Sequence, residues 1–133
     1  MTRHQEDVMI DYYFSPGVNP MKTSLFLEES GLPYRPIAMD LLKGDHLTPG
    51  YTLVNPNQKV PAIVDDGVPV FDSNAILLYL ADKHGCFLPD PSLRGRLLSW
   101  LMFVATGVGP FSGQAVHFRM FAPEQIEYAL QRY

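Results

Sequence analysis

Two short stretches carry the residues best suited to chemistry, Val60-Pro61 and Asp72-Ser73. A proline at the start of a strand removes a ladder donor and is a natural place for a cis peptide bond. The unpaired backbone beside Val60 can then pair with the main chain of an extended peptide. Asp72 and Ser73 stand where a β-prone run gives way to the apolar segment Ala75-Ile76-Leu77-Leu78-Tyr79-Leu80. A helix start there offers free N–H groups and partial positive charge to an anion. Together the two stretches predict a site for a small peptide with a carboxylate at one end. A third stretch, Ser15-Pro16-Gly17-Val18-Asn19, precedes the first predicted helix. Backbone N–H groups and the helix dipole at such a point stabilise a thiolate.

The elements that must position these residues are legible in order. Val8 to Phe14 is mostly apolar and β-prone, as a buried central strand should be. Asn19 as N-cap and Pro20 as first helical residue predict a helix with Leu25, Phe26 and Leu27 on its apolar face, ended by Gly31. Tyr34 to Met39 reads as a second strand. Asp40 to Asn57 reads as loop with one irregular helical turn, since it holds Gly44, Pro49, Gly50 and Pro56. Ala62–Val64 and Val68–Phe71 flank Asp65-Asp66-Gly67, a hairpin signal, and Pro69 assigns the second strand to an edge. A helix capped by Asp72 or Ser73 then runs to Gly85. Phe87-Leu88-Pro89-Asp90-Pro91 is the linker. Beyond it strand signals stop. Leu93 to Val108 is predicted helical, ended or kinked by Gly107-Val108-Gly109-Pro110, and a last helix is expected from Glu124 to Tyr133.

Bulk properties narrow the classes. The 133 residues carry 14 acidic against 10 basic side chains, a formal charge of −4. Neither nucleic acid nor a membrane surface is therefore an expected partner. No segment has the apolar length of a membrane span, and the polar run Met1–Asp7 lacks the apolar core of a signal peptide. A single cysteine, Cys86, leaves no internal disulfide, Cys-x-x-Cys pair or zinc knuckle, so no metal is expected. A cytoplasmic protein is the expectation.

The order strand–helix–strand–loop–hairpin–helix followed by helices is thioredoxin-like, and with Val60-Pro61 and Asp72-Ser73 it resembles the N-terminal domain of cytosolic glutathione transferases. Asn19-Pro20-Met21-Lys22, Phe26-Leu27-Glu28-Glu29, Gly44-Asp45-His46, Asn55-Pro56-Asn57 and Gly109-Pro110-Phe111-Ser112-Gly113-Gln114 narrow the resemblance. They are similar to the nu-class bacterial branch, which includes glutathione-dependent disulfide-bond reductases and is related to the fungal prion-forming nitrogen regulator. The resemblance implies an α/β fold: a thioredoxin-like glutathione-binding domain over residues 8–86 with a mixed four-stranded sheet, a linker over 87–91, and part of an all-α domain over 92–133. It also implies that the helical domain is incomplete here and that the protein is a homodimer.

The resemblance further implies roles. Val60 would pair its backbone with the cysteinyl part of glutathione beside a cis-Pro61. Asp72 would take the γ-glutamyl ammonium and Ser73 its carboxylate. Thiol contact in the branch is attributed to a threonine and an asparagine of the first loop. Asn19 matches the asparagine and Gly17 stands at the threonine, leaving Ser15 as the substitute hydroxyl. His46 and Lys59 are candidates for the glycyl carboxylate. Gln114 and His117 match a substrate pocket, and Arg132 could serve a second glutathione. Each has a plainer reading as well, as helix cap, loop or surface residue. Glutathione is thus the expected cosubstrate, and its thiol would reduce a disulfide or add to a small electrophile. A weakly catalytic glutathione-binding protein, or a non-functional fragment of a longer transferase, is the alternative. A glutaredoxin would need a cysteine after the first strand, and none is there.

Overall fold

The computed structural model describes residues 9–133. Val8 and the polar run before it lie outside the described residues. The chain divides into a first compact unit that ends at Phe87 and a second, Leu88–Tyr133.

In the first unit β1 (Ile10–Phe14) leads through α1 (Val18–Ser30) to β2 (Tyr34–Ala38). A 3₁₀ turn (Asp45–Leu47) and the short α2 (Pro49–Val54) precede β3 (Ala62–Asp65), β4 (Val68–Phe71) and α3 (Ser73–His84). The sheet order is β2-β1-β3-β4. β1 pairs parallel with β2, and β3 pairs antiparallel with both β1 and β4. This is the thioredoxin-like order, with β1 central and Pro69 on the edge strand as expected. The β3–β4 turn has positive φ at Asp66 (53°) and Gly67 (77°). That pair of angles matches a type I′ hairpin, whose twist suits the flanking strands.

Alternation in β1 decides which face does what. Ile10 and Tyr12 meet Leu27 of α1, Ile63 of β3 and Ile76 and Leu80 of α3 in one buried cluster. Tyr13 points the other way, with its ring 5.4 Å from that of Tyr51 on α2. So α1 and α3 share one face of the sheet and α2 covers the other. The Tyr12 hydroxyl donates to the Pro20 carbonyl at 2.6 Å and bonds Ser24 Oγ at 2.9 Å, pinning α1 to the central strand.

Two local expectations shift. α1 starts at Val18, with Gly17 at its cap and no side-chain cap bond, so Asn19 lies inside the helix rather than before it. Pro20 did not fix the start because none of a helix's first N–H groups needs an intrahelical partner. Of its apolar run only Leu27 is fully buried, while Leu25 is 56% exposed. α1 also buries Thr23 completely, with Oγ1 lacking a partner among the described residues. A buried hydroxyl without a partner is a cost that an isosteric methyl removes. Thr23→Val is therefore expected to raise the unfolding free energy by about 1 kcal/mol, read from the midpoint of a urea transition at constant slope.

The second unit runs α4 (Arg94–Phe103), a π turn (Val104–Val108), α5 (Gly109–Val116), a second π turn (His117–Phe121) and α6 (Glu127–Arg132). Gly107-Val108-Gly109-Pro110 does not end the helix. The wider turn carries it through, with the Gly109 N–H bonded to the Val104 carbonyl. A Cβ on Gly109 would lie 3.2 Å from that oxygen, so glycine permits the close approach. The last helix begins at Glu127, three residues later than expected, because Ile126 is extended.

Candidate functional site

The start of β3, the end of β4 and the starts of α1 and α3 converge at one end of the sheet. They enclose a cleft of about 170 Å³ lined by Asn19, Asn55, Asn57, Lys59, Val60, Pro61, Phe71, Asp72 and Ser73. The cleft brings together Asn19, Lys59, Val60, Pro61, Asp72 and Ser73 from the sequence reading. The Val60–Pro61 bond is cis.

Asp72 settles between the two roles the sequence left open. It is the α3 N-cap, and its Oδ1 accepts from Asn74 N at 2.9 Å and Ala75 N at 3.2 Å. Those are two of the N–H groups that the helix cannot satisfy itself. Among the described residues the Ser73 N–H and the second carboxylate oxygen have no hydrogen-bond partner. Asp72 sits at φ 72°, a left-handed value that a non-glycine residue adopts only under constraint. Ser73 is itself buried, at 5% exposure. A carboxylate arriving at Ser73 meets the positive end of a three-turn helix. The next residue, Asn74, accepts a bond from Lys22 Nζ at 3.3 Å, tying α3 to α1.

Beneath the Lys59–Val60 backbone lies a polar support that the sequence reading missed. Asn55 is 2% exposed. Its Nδ2 donates to the Lys59 carbonyl at 2.7 Å, and its Oδ1 accepts from Asn57 N at 2.8 Å. The Tyr51 hydroxyl donates to the same Lys59 carbonyl at 2.6 Å. Burial pushes the Tyr51 hydroxyl up to about 12. It therefore keeps its proton, and its donor role, at neutral pH. Asn55-Pro56-Asn57 was visible as a motif, but a turn asparagine and a buried one look alike in sequence.

Other candidates lie elsewhere. Ser15 is buried at 6% exposure. It lines a separate groove of about 490 Å³ with Pro16, Ala38, Met39, Leu41 and Leu42. His46 is half-buried in the 3₁₀ turn, its Nδ1 without a partner among the described residues, and it does not line the cleft. Gln114, His117 and Arg132 belong to the second unit, where all three are exposed and Arg132 lies 5.9 Å from the Tyr133 ring centre. Tyr12, on β1, does not line the cleft. Burial raises its hydroxyl above the usual tyrosine range, and both its bonds go to α1.

Sheet order and cleft together define a thioredoxin-like domain with a polar cleft at one end of the sheet. The chain belongs to the glutathione S-transferase family, whose N-terminal domain matches residues 8–82. It is 47% identical over 133 residues to the disulfide-bond oxidoreductase YfcG of Escherichia coli K12, covering 94% of this chain and 62% of that protein. It is 36% identical over 125 residues to the transcriptional regulator URE2 of Saccharomyces cerevisiae, covering 86% of this chain and 35% of that protein. Among solved structures, a glutathione transferase family member from Pseudomonas fluorescens with two glutathione bound superposes with a TM-score of 0.89 at 38% identity. That match covers 98% of this chain and 62% of the other. Ure2p in complex with glutathione gives 0.88 at 32% identity, over 98% of this chain and 63% of the other. The chain thus spans less than two thirds of the length of the relatives it matches.

Proposed function

We propose that this chain binds glutathione in the Val60–Ser73 cleft and uses the bound thiol to reduce disulfides or to add to small electrophiles. One observation carries the reading. The backbone beside the cis Val60–Pro61 bond, the start of α3 and the first turn of α1 converge on a single cleft. Asp72 holds the γ-glutamyl ammonium and the Ser73 N–H and hydroxyl hold the neighbouring carboxylate. Val60 pairs with the cysteinyl backbone, and Lys59 faces the glycyl carboxylate.

Asn19, in the first turn of α1, bonds the sulfur and favours its thiolate. That thiolate attacks one sulfur of a disulfide, forming a mixed disulfide and expelling the other sulfur as a thiolate, which takes up a proton. A second glutathione thiolate then attacks the glutathione sulfur of the mixed disulfide. It releases glutathione disulfide and the second reduced thiol. With an electrophile, a carbon–sulfur bond forms and the leaving group departs with its electron pair. Turnover of hydroxyethyl disulfide with glutathione tests this, the expectation being a rate that falls at least tenfold in Asn19→Ala. Equal rates for the two proteins would sink the thiol-activating role.

A second reading, a binding protein with weak turnover, is favoured by Gly17. Its position offers no hydroxyl to the thiol, and Ser15 lines a different groove. Gly17 has φ 160°, an extended value open to any residue, and a Cβ there would lie 3.7 Å from Pro20 Cδ. Threonine therefore fits. Gly17→Thr is expected to raise disulfide turnover about tenfold by adding one donor to the thiolate, and an unchanged rate contradicts the idea.

Residues 8–86 form the glutathione-binding domain of this proposal, and 92–133 belong to a helical domain. The chain works in the cytoplasm as a homodimer. Large apolar side chains of the second unit support pairing, with Trp100 60%, Met120 72% and Phe121 69% exposed. A sedimentation mass of one chain at micromolar concentration would rule the dimer out.

A further inference from the structure

We propose that Tyr51 and Asn55 are positioning residues that aim the Val60 N–H into the cleft by holding the Lys59 carbonyl between them. The inference rests on the glutathione-binding reading and names residues that reading does not use.

The argument starts from one peptide plane. The Lys59 carbonyl and the Val60 N–H belong to the same peptide unit. That unit is trans, because the only cis bond among the described residues is the next one, Val60–Pro61. In a trans peptide the C=O and N–H point in opposite directions. Whatever fixes the carbonyl therefore fixes the donor.

Two donors fix it from below. Tyr51 Oη lies 2.6 Å and Asn55 Nδ2 2.7 Å from the carbonyl oxygen, occupying both of its lone pairs. Neither donor is free to wander. The Tyr51 ring is 4% exposed and packs on Tyr13, while Asn55 is 2% exposed with its Oδ1 held by Asn57 N. The Asn55 backbone is held as well, its N–H bonding the Tyr51 carbonyl at 2.8 Å and its carbonyl accepting from Gln58 N at 2.9 Å. Gln58 turns the chain back at φ 55°. The oxygen is thus held on Tyr51 and Asn55, and the Val60 N–H points the opposite way, with Val60 itself among the residues lining the cleft. A polar support this well satisfied specifies one orientation, because any rotation of the plane breaks two buried bonds at once.

The two residues should then act on affinity and not on the chemical step. Tyr51→Phe keeps the ring and its stacking and deletes one donor. Asn55→Asp keeps the shape and the acceptor for Asn57 N–H but turns the Nδ2 donor into an oxygen facing the carbonyl. Glutathione titrations of the full chain, with amide spectra that follow Val60, make the test. The expected result is about fivefold weaker binding in Tyr51→Phe and at least tenfold weaker in Asn55→Asp. The Val60 amide resonance should move in each free variant. If wild type binds and both variants bind equally well, the positioning role is wrong while the glutathione site stands. Weaker binding with an unmoved Val60 resonance also overturns it, since the loss would come from elsewhere. If wild type does not bind glutathione, both readings fall together.

Discussion

Replacing Lys83 with methionine is expected to lower the unfolding free energy by about 3 kcal/mol at neutral pH, the largest single effect on stability outside the packed core. Lys83 Nζ lies 2.7 Å from Asp65 Oδ2, and the Asp65 side chain is only 2% exposed against 36% for Lys83. The pair ties α3 to the end of β3. Methionine preserves the stem that covers the sheet but strands a buried carboxylate, which is far costlier than the intact pair is beneficial. The low end of the range applies because the ammonium end reaches solvent. A companion variant separates the two costs: Asp65→Leu combined with Lys83→Met should recover most of the loss, since no charge is left unpaired. The same contact sets an alkaline limit. Its hydrogen bond to Asp65 raises the Lys83 ammonium above the usual lysine value. A raised folded-state value means the contribution is complete below the unfolded lysine range. It is lost as pH climbs through the folded value. Chemical denaturation of wild type and Lys83→Met across pH 7 to pH 11 should show the two curves converging at the alkaline end. A constant gap contradicts the assignment.

Asp72→Asn carries the largest expected effect on binding, a loss of about tenfold to one hundredfold in glutathione affinity with stability nearly unchanged. The contrast follows from the two jobs of one carboxylate. Oδ1 caps α3 through Asn74 N and Ala75 N. An asparagine oxygen caps nearly as well. What asparagine cannot supply is the negative charge opposite an ammonium. Asp72→Ala loses both functions, so it should lower stability by about 1 kcal/mol as well as affinity. Calorimetric titration with glutathione alongside thermal unfolding reads the two separately. Equal affinity in Asp72→Asn and wild type would confine Asp72 to capping.

What was legible in the sequence follows physical rules that act locally. Asp66-Gly67 announced the hairpin because few residues accept positive φ twice in succession. Pro69 announced the edge because it cannot donate to a ladder, and Gly31 and Gly85 announced helix ends. Val60-Pro61 and Asp72-Ser73 could be read as a site because a missing donor and a helix start are themselves local facts. The rest depended on distant partners. α2 carries Pro49-Gly50 and no apolar periodicity, and its Tyr51 is placed by Tyr13 on the sheet rather than by its own segment. Asn55 looked like a turn residue because nothing near it in sequence shows that it will be buried against the Lys59 carbonyl. The helix through Gly107–Pro110 hid behind three breaker residues, Gly107, Gly109 and Pro110, which a wider turn accommodates. Ser15 stands beside the missing threonine in sequence, and in the structure it lines the groove with Met39 and Leu41.

The most direct test of the central claim is an amide spectrum of the full chain titrated with reduced glutathione. The account predicts saturable shifts centred on Val60, Ser73 and Asn74, with Asn19 moving at the same midpoint, and a midpoint about tenfold to one hundredfold higher in Asp72→Asn. Shifts confined to the Ser15–Leu42 groove, or none up to millimolar ligand, would contradict it.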